Sequence, residues 1–100
     1  MNFYLRTKTT PVPYEIDAEA LKYWLNRALS PKPGVSVNLT DFLPRNGSKG
    51  IIEAATAQRL LKVITAFAME DDDEANEAQT LAASKLYQAC RNPPLTVSEK

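Results

Sequence analysis

The run GIIEAATAQRLLKVITAFAME, from Gly50 to Glu70, constrains the fold more than any other part of the chain. It is the longest uninterrupted stretch of good helix formers. At about 100° per residue, Ala57, Leu60, Leu61, Ile64, Phe67 and Ala68 share one face, with Val63 beside Phe67. Gln58, Arg59, Lys62 and Thr65 lie opposite. The apolar arc spans roughly 160°, more than one neighbour covers. A helix with such a face packs against two partners, so the segment is predicted to be the central helix of a core.

One hundred residues, 44% of them hydrophobic and 24% charged, describe one ordinary globular domain. No apolar run approaches the ~20 residues that a bilayer span needs. The stretch MNFYLRTKTTPVPYE has charges and prolines where a secretory signal has an apolar core. The single cysteine, Cys90, has no internal disulfide partner. These features are read as those of a cytoplasmic domain.

Ahead of the central helix, residues 2–8 alternate Phe3, Leu5 and Thr7 with Tyr4, Arg6 and Lys8, the period of a half-buried strand. Pro11 and Pro13 end it and stiffen the connection. Asp17 is predicted to cap the next helix, with Ile16 and Leu21 spaced as a hydrophobic staple. That helix carries Leu21, Trp24, Leu25 and Ala28 inward and Glu19, Lys22, Tyr23, Asn26 and Arg27 outward. Ser30-Pro31-Lys32-Pro33-Gly34 stops it. Residues 35–40, VSVNLT, alternate again and are predicted to form a second strand, parallel to the first across a helical crossover.

Beyond the central helix, a third helix is predicted to run to about Arg91 and stop at Asn92-Pro93-Pro94, with Asp71 or a neighbour as its cap. Its inward stripe is Ala75, Ala78, Ala82, Leu86 and Ala89, with Leu81 alongside. Small side chains there favour close antiparallel packing on the central helix. The expected fold is α+β in the order β-α-β-α-α, three helices on a small sheet, over residues 1–92. The alternative is an all-α three-helix domain with an extended N-terminal arm. Residues 93–100 show no periodicity and are expected to be a disordered tail.

Net charge is zero, but its halves differ: residues 1–67 hold nine Lys/Arg against five Asp/Glu, residues 68–100 three against seven. The chain has no histidine, which removes the commonest general base and metal ligand and every Ser-His-Asp or Cys-His arrangement. Cys90 lies near a helix C-terminus, where carbonyl dipoles disfavour a thiolate, and reads as a core residue. The acidic run Asp71, Asp72, Asp73 and Glu74, with Glu77, lacks the alternation and glycine of a calcium loop. It reads as a helix-start charge cluster and a candidate protein-docking patch.

Arg45-Asn46-Gly47-Ser48-Lys49-Gly50 brings two cations and two glycines to the predicted start of the central helix, where free N–H groups favour anions. Its spacing is not that of a nucleotide loop. With Arg59 and Lys62, and with Arg6 and Lys8 as an extension, Arg45 and Lys49 form a candidate phosphate-contacting surface. Tyr23 and Arg27, one turn apart, are a candidate exposed contact. Trp24 falls on the core stripe.

No cofactor or metal is implied. The reading that follows is a non-catalytic protein-protein interaction domain, an adaptor, inhibitor or accessory subunit. The alternative is a nucleic-acid-binding regulator using the 45–50 loop and the central-helix cations. Self-association through an open sheet edge is a further expectation.

Overall fold

In a computed structural model, the described residues are 2–9, 12–30, 32, 37–40, 42–44, 47–70 and 76–99. They form β1 (Asn2–Arg6), β2 (Tyr14–Asp17), α1 (Ala18–Leu29), β3 (Gly50–Ile52), α2 (Ala54–Glu70), α3 (Glu77–Ala89) and β4 (Leu95–Ser98). The α+β class and the order β-α-β-α-α are present, with two strands added: β2 directly before α1, and β4 at the C-terminal end.

The four strands lie in the order β2-β1-β4-β3, each antiparallel to its neighbour. Strands β1 and β3 therefore run in the same direction but do not touch, because β4 sits between them. This corrects the expected parallel pair. The segment expected to be a disordered tail is one of the two central strands of the sheet, with Leu95 and Val97 fully buried. Leu95 pairs with Ile52 and Val97 with Leu5 and Gly50, so two flanking strands supply the ladder that a four-residue segment lacks alone.

The strand after α1 is also displaced, from 35–40 to Gly50–Ile52; residues 33–36 lie outside the described set. Residues 37–40 are not in a strand, and side chains take two of their amides. The Val37 N–H donates to Asn26 Oδ1 of α1 at 3.1 Å, and the Thr40 N–H donates to Asn38 Oδ1 at 3.0 Å. The Phe42 N–H then closes a turn on the Leu39 carbonyl at 3.0 Å. Gly50, Ile51 and Ile52 belong to the sheet, so the central helix starts at Ala54.

Alternation along the strands divides the sheet into two faces. Phe3, Leu5, Ile16, Ile52, Leu95 and Val97 are buried in one cluster with the helices. Tyr4, Arg6, Glu15, Ile51 and Thr96 occupy the other face. Helix α1 starts as the sequence specifies, with Asp17 Oδ2 accepting from the Ala20 N–H at 3.0 Å and Ile16 and Leu21 both buried. Trp24 sits at the centre, fully buried, edge-on to Phe67 of α2 at 5.1 Å between ring centroids. Its indole N–H donates to the Gln79 carbonyl of α3 at 2.8 Å. All three helices contact one another.

Helix α3 is capped by Asn76, not by Asp71. Asn76 Oδ1 accepts from the Gln79 N–H at 2.8 Å, and Gln79 Oε1 accepts from the Asn76 N–H at 3.0 Å, a capping box. Its buried face is Ala82, Ala83, Leu86 and Ala89; Ala78 is exposed, Leu81 is 57% exposed, and Ala75 lies outside the described residues. The helix is thus rotated from its expected phase, bringing Ala83 inward and Leu81 out. Alanines define a stripe weakly, so the larger neighbours across the contact set the rotation.

Candidate interaction surface

Helix α2 buries Ala57, Leu60 and Ile64, while Leu61, Val63 and Phe67 pack against the core from its rim. Its last turns carry more apolar surface than α3 covers. Opposite Ile64, Phe67 and Met69, α3 offers only Thr80, Ala83 and Ser84 before reaching Tyr87. Small side chains facing large ones leave a groove of about 460 Å³ between the two helices. Met69 stands 82% exposed and Tyr87 41% exposed along it. The Arg91 guanidinium lies over the Tyr87 ring, 6.0 Å from its centroid.

The sequence-derived candidates are distributed differently. Glu77 is exposed in the first turn of α3, where its charge complements the helix dipole. Asp71, Asp72, Asp73 and Glu74 lie outside the described residues. Tyr23 and Arg27 are half-buried, and they meet each other. Arg27 Nη1 donates to Tyr23 Oη at 2.9 Å, the Tyr23 ring is edge-on to Trp24 at 5.0 Å, and the guanidinium sits 5.6 Å from the Trp24 ring centroid. They form a packed rib on α1, not the free contact that helical spacing suggests.

The described members of the candidate basic surface are carried by different elements. Arg45 lies outside the described residues. Lys49 is exposed just before β3, in a groove of about 240 Å³ shared with Pro44, Gly47, Ser48, Ser98 and the carboxylate-bearing Glu99. Arg59 and Lys62 are exposed on α2. Arg6 occupies the sheet face turned from the core and donates to Ser98 Oγ at 2.6 Å; Lys8 is exposed beyond β1. Because β3 intervenes between Lys49 and Ala54, the 45–50 loop does not lead into the N-terminus of α2.

Cys90 is buried, and desolvation pushes its thiol from an ordinary 9.0 up to about 12. A thiol so placed is not a nucleophile at neutral pH. Among the described residues no three Cys, Asp or Glu side chains converge as metal ligands, and no helix is long and apolar enough to cross a membrane.

Sequence reasoning missed Met69, Thr80, Ala83, Ser84 and Tyr87. The available signal was the i, i+3, i+7 spacing of Thr80, Ala83 and Tyr87; the expected stripe held Ala82, Leu86 and Ala89, which are buried, but left out Ala83. Comparison with protein-family models, curated proteins and solved structures gives no match for this chain.

Proposed function

We propose that this chain is a small non-catalytic interaction domain, an adaptor, inhibitor or accessory subunit, that presents the α2–α3 groove to a protein partner. The observation carrying this reading is the exposure of Met69 and Tyr87 beside unfilled apolar volume. Methionine and tyrosine are enriched at the cores of protein interfaces, and methionine adapts its shape to what it meets. Burying the Met69 side chain against a partner contributes about 1.5–3 kcal/mol. Charged groups near the groove would steer the encounter more than hold the complex.

The test is selection of displayed random peptides on the folded chain, followed by affinity measurement against wild type and Met69→Glu. Because Met69 is exposed, the variant folds. Selected peptides should be apolar along one helical face and lose at least ~10-fold in affinity for Met69→Glu. Peptides that bind both proteins equally would place the interface elsewhere. Titration of random-sequence DNA and RNA at low and physiological salt is the control: steep salt-dependent binding, abolished by Lys49→Glu and Lys62→Glu, would install the nucleic-acid alternative instead.

A further inference from the structure

We infer that the occupant of the α2–α3 groove is a second copy of this chain, docked antiparallel through α3 about a twofold axis at Ser84. The inference rests on the groove reading above and specifies its partner.

Glu77, Thr80, Ser84, Tyr87 and Arg91 are spaced at three and four residues, so they form one stripe on the solvent side of α3. All five are exposed, and Leu81 beside the stripe is 57% exposed. Cys90 keeps right-handed helical geometry at φ −69 and ψ −8, which carries the spiral on to Arg91. The guanidinium position over Tyr87 puts Arg91 on the groove side.

This stripe is self-complementary. Glu77 and Arg91 each stand seven residues from Ser84, with opposite charge. That separation is about 10 Å along the helix on either side. A twofold axis at Ser84 reverses the direction of α3 and sets Glu77 of one copy against Arg91 of the other, twice. Ser84 at the crossing is small, so the helix axes can approach closely. The same axis sets Tyr87 of each copy, three residues beyond Ser84, against exposed Leu81 of its neighbour, three residues before it, beside the Thr80 and Ser84 wall of the groove. An arbitrary partner would need to match an acidic end, a small centre and a basic end; a second copy matches all three by symmetry.

This moves self-association away from the sheet edge. Strand β2 is packed against α3, whose Lys85 Nζ donates to the Glu15 carbonyl, and β3 offers only three residues.

The test is sedimentation velocity of wild type, Glu77→Arg, Arg91→Glu, the double swap and Ser84→Arg, up to millimolar concentration. These side chains are exposed, so circular dichroism should show each variant folded. Wild type should dimerise, each single swap should weaken dimerisation at least ~10-fold because symmetry repeats the like-charge contact, and Ser84→Arg should abolish it. An equimolar mixture of the two single-swap variants should restore a dimer, since one then carries two cations and the other two anions. The double swap should dimerise alone. A wild type monomeric throughout, a dimer that survives Ser84→Arg, or a mixture no tighter than its components overturns the inference. If wild type is monomeric while groove-selected peptides still lose affinity for Met69→Glu, the groove reading stands and only self-docking falls.

Discussion

The Trp24 indole N–H donates to the Gln79 carbonyl at 2.8 Å, a bond across 55 residues that ties the middle of α1 to the first turn of α3. Gln79 is also half of the capping box with Asn76, so one residue ends the approach to α3 and anchors it on the central aromatic. With Phe67 edge-on to the same indole, Trp24 is where all three helices meet. Trp24→Phe removes this bond and part of a fully buried ring system. A lost buried hydrogen bond and the cavity together should cost roughly 2–4 kcal/mol. Urea unfolding followed by far-ultraviolet circular dichroism measures this directly, and a loss below about 1 kcal/mol would show that the core repacks around Phe.

The two described turn and strand glycines should behave differently under the same substitution. A Cβ on Gly50 would sit 2.2 Å from the Phe42 carbonyl oxygen, which is backbone and cannot swing aside. Gly50→Ala should therefore displace the 42–43 turn from β3 and cost about 2–4 kcal/mol. Gly47 has φ +84, and a methyl group there would meet nothing within 4 Å. Gly47→Ala therefore incurs only the left-handed backbone penalty, about 1 kcal/mol. Thermal melts of the two variants should order them in that way.

Deleting residues 95–100 should unfold the domain. The lost segment holds Leu95 and Val97, both fully buried, and pairs β1 with one edge and β3 with the other. Without it, β3 has no partner and β1 is left in a two-stranded hairpin, which is marginal in water. Loss of amide dispersion in a nitrogen-15 correlation spectrum of the truncated chain is the expected result. A native-like spectrum would mean that the helices and the β1–β2 hairpin carry the fold alone.

Legibility in the sequence follows the size of the side-chain contrast. Helix α1 can be read because Leu21, Trp24 and Leu25 alternate with Glu19, Lys22 and Asn26, and because Asp17 caps without help from elsewhere. The rotation of helix α3 is misjudged from sequence because Ala78, Ala82, Ala83 and Ala89 differ so little from their polar neighbours. The strands β3 and β4 are three and four residues long, and their pairing depends on partners about 45 to 90 positions away. Nothing local specifies them, whereas Asn38 gives residues 37–40 a local alternative to the ladder. The groove depends on the same rotation, since Tyr87 lines it only once Ala83 faces α2.

Cys90 predicts the alkaline limb of stability. Its thiol is held neutral by burial, with a folded value of about 12 against 9.0 for an ordinary thiol. Below pH 9 both folded and unfolded chains keep the proton, so the group contributes no pH dependence. Between pH 9 and about 12 the unfolded chain releases it and the folded chain does not. Stability from this site therefore falls as pH rises, by about 1.4 kcal/mol per pH unit for one proton. Lysines and tyrosines titrate in the same range, so the comparison needed is with Cys90→Ala. Urea midpoints at pH 8, 9 and 10 should decline more steeply for wild type than for Cys90→Ala, and the two slopes should coincide below pH 8. The same burial should block the thiol from a water-soluble disulfide reagent until the chain unfolds. Rapid labelling of the native protein at neutral pH would mean that α3 opens around Cys90 far more often than its packing allows.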